Sequence, residues 1–111
     1  MDYSIIGRIV RDLALSVRLV TKDGEIHGWS SWLISPTPGY LESASGGPYP
    51  LAEIEAFVID PVAITQSGSR LPVHSIDKAV VLEERLSAAG ISFAREPDGC
   101  VHVRPAANEA V

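Results

Sequence analysis

The sequence predicts an α+β fold in a single domain: a twisted antiparallel sheet, partly barrel-like, with a short N-terminal helix and a longer helix at about 75–89 followed by a C-terminal hairpin. Three observations predict it. Apolar residues recur at period two over residues 15–22, 53–60 and 91–103. They recur at helical spacing over residues 5–13 and 76–89. Asp23-Gly24 and Pro97-Asp98-Gly99 stand where such strands turn back.

Taken in order, Ile5, Ile6, Ile9, Val10 and Leu13 form one face of the first helix, with Arg8, Arg11 and Asp12 opposite and Asp2 or Ser4 as its cap. Gly7 weakens that helix. From Leu15 the period changes to two, so that Leu15, Val17, Leu19 and Thr21 share the buried face of a strand. Lys22-Asp23-Gly24-Glu25 is then a hairpin turn, because Asp and Gly tolerate positive φ, and a second strand is expected over residues 25–34. Residues 35–50 hold four prolines and three glycines and are expected as a long loop, with a short extended piece at 40–43. In residues 53–60, Glu53, Glu55, Phe57 and Ile59 alternate with Ile54, Ala56, Val58 and Asp60; acids and apolar groups on one face predict an edge strand, wet at its start and buried at its end. A polar loop at 66–72 leads to a helix capped by Ser75, with Asp77 in its first turn. Ala79, Leu82, Leu86 and Ala89 make its stripe, widened by Ile76 and Val80, and Gly90 closes it. Residues 91–103 form the last hairpin, with Ile91 and Phe93 against Val101 and Val103, so the globular domain is expected over 1–104 and a frayed tail over 105–111.

The pattern VRLVTKDGEIHGW, followed by IEAFVIDPV, resembles the opening hairpin and closing strand of SH3-like or Sm-like small barrels, over about half of the chain. The resemblance implies a barrel-like sheet with residues 35–50 inserted between strands. The RNA binding of some such barrels is not expected here, because the charge opposes it.

Composition narrows the function classes. A chain of 111 residues suits one domain, which at this size buries roughly two-thirds of its unfolded surface. The longest apolar runs, AFVI and AVVL, are far short of the roughly 20 residues that cross a bilayer, and MDYSII carries an acid where a secretory signal is basic. Cys100 is the lone cysteine, which suits a reducing, cytoplasmic setting. A net charge of −5 with scattered cations opposes direct nucleic-acid binding and favours a basic partner. The charge is uneven: residues 33–69 contain Glu42, Glu53, Glu55 and Asp60 and no lysine or arginine.

No catalytic motif emerges, and neither a metal nor a cofactor is expected. Cys100 and His102 share a strand face and invite a zinc site with His27 or His74, but paired ligands such as Cys-x-x-Cys are missing. The same two residues make a poor nucleophile and base, being neighbours along one strand. None of the serines lies in a nucleophile elbow, and SASGGP lacks the lysine of a phosphate loop. Glu53 and Glu55, about 7 Å apart by strand geometry, have a spacing glycosidases can use, yet a solvated strand edge is the simpler account. Trp29 and Trp32, three apart in a strand, point to opposite faces, one into the core and one outward.

The strongest surface signal is therefore acidic and aromatic. Trp29, Trp32, Tyr40, Glu42, Tyr49, Glu53, Glu55 and Asp60 are the candidate partner-binding residues. In general character the chain resembles the immunity, or antidote, proteins of bacterial competition systems: small, acidic, single-domain and without a catalytic motif. That resemblance implies a protein-binding inhibitor, not an enzyme, which neutralises a basic toxin such as a nuclease. The alternative is a homo-oligomeric small-barrel scaffold or ligand-binding module, assembling through an exposed edge strand.

Overall fold

In the computed structural model, which describes residues 2–65 and 74–109, the first helix, α1 (Ser4–Leu13), buries Ile6, Gly7, Ile9 and Val10 and leaves Arg8 and Arg11 exposed. Neither expected cap holds the N-cap position, which is Tyr3; Asp2, one residue earlier, accepts the Ser4 N–H at 3.0 Å and the Ser4 hydroxyl at 2.6 Å through its Oδ1. The helix ends on Ala14 at φ 55°, and the Leu15 N–H closes back onto the Val10 carbonyl at 2.9 Å.

β1 (Ser16–Thr21) follows with the predicted alternation, Val17 and Leu19 buried. At the turn Gly24 takes φ +91°, and its N–H bonds the Thr21 carbonyl at 3.0 Å. The expected continuous strand over 25–34 does not form. Single bridges join Val20 to Ile26 and Val17 to Ser30, and regular pairing resumes only in the two-residue β2 (Leu33–Ile34). Between the bridges β1 advances three residues and the returning segment four; one residue bulges out and the chain bends away from β1.

It bends into a second sheet. Residues 40–43 are the predicted extended piece, β3 (Tyr40–Ser43), but the rest of the expected loop supplies β4 (Gly46–Pro50), giving a three-stranded antiparallel sheet in the order β2-β3-β4. Pro48 and Pro50 are accommodated because β4 is an edge strand whose outer side needs no N–H donors.

After one 3-10 turn (Leu51–Glu53) comes β5 (Ile54–Asp60), then β6 (Val62–Thr65), β7 (His74–Asp77), α2 (Ala79–Ala88), β8 (Ala94–Arg95), β9 (Val101–Val103) and α3 (Pro105–Asn108). The main sheet has the order β1-β5-β9-β8, with every pairing antiparallel. β5 is thus central, not the expected edge. Its wet start has another cause: β9 pairs only with Phe57, Val58 and Ile59, so Glu55 lies beyond the end of that partner. Sheets with free edges do not close, and the barrel-like part of the expectation is corrected accordingly.

Register sorts the main sheet into two faces. Val17, Ile59 and Val101 lie opposite one another, as do Leu19, Phe57 and Val103; these six form the core with Ile6, Ile9 and Val10 of α1 and Leu82 and Leu86 of α2. The other face carries Arg18, Val58, His102 and Ala94 in one row.

α2 begins later than expected. Residues 74–77 pair with β6, Val62 opposite Asp77 and Ala63 opposite Ile76, so Ser75 is no cap and Asp77 accepts the Ala79 N–H at 2.8 Å. Ala79, Leu82 and Leu86 are buried as predicted with Ala89 packed against them, but Ile76 and Val80 are exposed and do not widen the stripe. Gly90 ends the helix at φ +73°. The segment expected to fray instead forms α3: Pro105 is buried, Asn108 bonds both the N–H and the carbonyl of Ser92, and the Tyr3 hydroxyl donates to Glu109 at 3.0 Å. The polar loop expected at 66–72 lies outside the described residues, as do residues 110 and 111. Among the described residues no helix is long and apolar enough to cross a membrane.

Three carboxyls are held below their ordinary range by hydrogen bonds: Asp2 by the Ser4 hydroxyl, Asp23 by the Thr21 hydroxyl, and Asp98 by the Cys100 N–H and then His102. A carboxyl with a lowered folded pKa adds stability above its unfolded value, about 3.9, and loses it as pH falls through the folded value. Thermal midpoints are therefore expected to drop as pH passes below about 4. A triple variant, Asp2→Asn with Asp23→Asn and Asp98→Asn, should show a shallower acid decline; an equal slope would assign acid sensitivity to other groups.

Candidate partner-binding surface

The eight candidate residues do not form one face. They fall into three groups.

The first group lies on the outside of the three-stranded sheet. Leu33 pairs with Ser43 and Leu41 with Tyr49, an inward set in which Leu33, Leu41 and Ser43 are buried. The alternate positions point outward: Ile34 stands opposite Glu42, and Tyr40 lies two residues along the same strand. Ile34 is 45% exposed, Tyr40 42% and Trp32, two residues before Ile34, 37%. Ser30 fixes this end of the sheet, its buried hydroxyl donating to the Trp32 carbonyl at 2.6 Å and accepting the Ala44 N–H at 3.0 Å. Beside Tyr40 a cavity of about 450 Å³ opens between the start of α1 and the small sheet, lined by Tyr3, Pro38, Leu41 and Leu51 among others.

The second group surrounds the first turn. Antiparallel pairing of β1 with β5 sets Thr21 against Ile54, and the Lys22 N–H bonds the Glu53 carbonyl at 2.9 Å. Glu53 is thereby brought beside Asp23 and Glu25. Together with Lys22, His27, Tyr49, Ala52 and Thr21 they line a second cavity, of about 430 Å³. The rings of His27 and Tyr49 lie 4.4 Å apart. Glu55 is exposed on β5, two residues beyond Glu53.

The third group is on the far side of the main sheet. Trp29 does not enter the core; it is 42% exposed and lies under the Arg18 guanidinium, 4.4 Å from its ring centre. With Trp32 also exposed, the expectation that one tryptophan is buried is overturned: the bulge that interrupts residues 25–34 removes the strand alternation on which it rested. Asp60, at the opposite end of β5 from Glu53, is about 20 Å away by strand rise and accepts the Val62 N–H at 3.0 Å.

Charge pairing separates the surfaces further. Asp12 pairs with Arg85 at 3.0 Å, Glu96 with Arg104 at 2.9 Å, Asp98 with His102 at 3.0 Å, and Glu83 with Arg95. Among the described residues Glu42, on the small sheet, Glu53, at the first-turn cavity, and Glu55, on β5, carry no ion pair.

Other chemistry is sparse. Among the described residues no three His, Cys, Asp or Glu side chains are grouped to hold a metal. His102 Nε2 is engaged by Asp98, and burial, then Asp98 and Asp60, push the Cys100 thiol above its ordinary range, away from the nucleophilic thiolate. The side chain of His74 is outside the described residues.

Sequence reasoning missed Ile34, Asp23 and Glu25 as surface participants and His27 as a buried cavity wall. Asp23 and Glu25 were legible only through the β1–β5 register, which carries an acidic turn onto Glu53. Comparison with protein-family models, with curated proteins and with solved structures found no match to this chain.

Proposed function

We propose that this protein is a binding protein that neutralises a basic protein partner, in the manner of an immunity protein acting on a toxin, with the outer face of the small sheet as its anchor surface. The observation that carries the reading is the grouping of Trp32, Ile34 and Tyr40, all more than a third exposed, around the unpaired Glu42. Large aromatic groups supply much contact area for few rotatable bonds, and an uncompensated carboxylate amid them selects a cationic partner. Glu53 and Glu55 extend the same charge to the neighbouring turn, speeding encounter with a basic surface such as a nuclease uses for phosphate. The setting proposed is the cytoplasm, where Cys100 stays a thiol. The self-assembling alternative loses β5 as its edge, since β5 is central, and would have to use another edge strand such as β4 or β8.

The test is capture of partners from source-cell lysate by the tagged protein, followed by titration of the purified partner. A basic protein binding one to one, more weakly at high salt, is expected, and coexpression should relieve its toxicity. Trp32→Ala and Tyr40→Ala should each weaken binding by tenfold or more, about 1.4 kcal/mol upward, while Val80→Ala, on α2, leaves it unchanged. Failure to capture such a partner, or affinity indifferent to both aromatic substitutions, would overturn the assignment.

A further inference from the structure

We propose that the cavity at the first turn is a receptor for a guanidinium group, so that the partner inserts one arginine side chain between Glu25, Glu53 and Tyr49. This rests on the reading of the protein as a binder of a basic partner and names the chemistry by which one part of it is recognised. The carrying observation is His27. It is 7% exposed, it lines the cavity, and neither ring nitrogen has a hydrogen-bond partner within the protein. Its nearest carboxylate oxygen, Glu25 Oε1, stays 3.6 Å from Nε2, beyond bonding distance. A buried imidazole left unbonded is costly, and native proteins seldom keep one without a use.

The lining indicates what satisfies it. Asp23, Glu25 and Glu53 outnumber Lys22, so the cavity favours a cation. Asp23 is partly committed already, its Oδ1 accepting from the Thr21 hydroxyl and the Glu25 N–H. Glu25 and Glu53 keep their carboxylates unengaged by any strong bond. A bare metal ion is a poor match, since no three ligating groups converge among the described residues. A guanidinium is a good one. It is planar, offers five N–H donors in a fixed fork and is always charged, so it can donate to a carboxylate on either side and to the imidazole acceptor at once. Its face can lie against Tyr49, whose ring already borders the imidazole.

The experiment uses the full chain without any partner. Amide and histidine-ring NMR spectra are followed while N-acetyl-arginine amide is titrated, and again with the neutral isostere N-acetyl-citrulline amide. Saturable shifts confined to residues 21–27 and 49–53 are expected for the arginine probe, with the citrulline probe at least about tenfold weaker. Glu25→Gln with Glu53→Gln should reduce arginine binding by about tenfold or more; both carboxylates are exposed, and unchanged shifts elsewhere would verify the fold. Absence of saturable shifts at these residues, or equal binding of citrulline, overturns the proposal. Because no partner is used, the two readings fail separately: arginine binding stands even if nothing basic is captured from lysate, and a captured partner with a silent cavity leaves the aromatic face without this pocket.

Discussion

Phe57→Ala is expected to lower the unfolding free energy by about 3–5 kcal/mol, as for other large buried aromatics. Phe57 has no exposed surface and sits in the middle of β5, with Leu19 across one interface and Val103 across the other. Its ring stacks on Tyr3 at 5.1 Å. Tyr3 is itself held from beyond, its hydroxyl bonded to Glu109, so it cannot easily tip into the space left by the ring. β5 is paired on both sides at this residue, so the backbone cannot sink into the void either. A cavity that resists collapse lies at the upper end of the range. Against a total of about 5–15 kcal/mol for a domain, that loss brings the chain near its folding threshold. Urea unfolding should show a lower midpoint at unchanged slope, and Phe57→Leu a smaller loss. A loss below about 1.5 kcal/mol for alanine would mean that the core around β5 repacks freely.

What the sequence carries and what it hides divide along local against tertiary information. β1, the Asp23-Gly24 turn, the buried stripe of α2 and the Gly90 stop depend on neighbours a few residues away, and they are where period and turn chemistry place them. Ser75 shows the limit: it is a good cap in isolation, but residues 74–77 gain more by pairing with β6, and the helix waits for Asp77. Gly46, Gly47, Pro48 and Pro50 likewise read as loop, because nothing local says that β3 is available as a partner on one side only. The tail reads as featureless because what orders it, Ser92 and Tyr3, is distant in sequence.

The candidate surface follows the same division. Residue type singled out Trp32, Tyr40, Glu42 and Glu53 as candidates, and all four have exposed surface. Grouping them needed the topology. Asp60 and Glu53 belong to one alternating stretch of sequence and so seemed to share a surface, whereas Glu53 ends the turn before β5 and Asp60 ends β5, a strand's length away. Asp23 and Glu25 lie outside the cation-free stretch and seemed unrelated to it, whereas pairing of β1 with β5 sets them beside Glu53.

Gly7→Ala inverts an ordinary expectation. Glycine inside a helix is less favourable than alanine by about 1 kcal/mol, so on a solvent-facing helix the substitution stabilises. At this position a loss of about 3 kcal/mol or more is expected instead. An added Cβ would fall 1.8 Å from the Leu33 carbonyl oxygen and 2.8 Å from the Leu33 carbonyl carbon. Both are backbone atoms, with no rotamer to relieve them. Leu33 is held by pairing with Ser43, and α1 is held by Ile6, Ile9 and Val10 in the core, so relief requires separating the helix from the small sheet. Gly7 is thus a point of close approach between α1 and the sheet that presents Trp32, Ile34 and Tyr40. Under the proposed binding role, the variant should also lose partner affinity under conditions where it remains folded, since moving β2 displaces that face. Arg8→Ala, one residue on and exposed, should change neither quantity appreciably. Chemical unfolding and partner titration of the two variants decide the matter: a Gly7→Ala protein more stable than its parent would mean that α1 stands clear of β2, and the coupling between helix and binding face would fall with it.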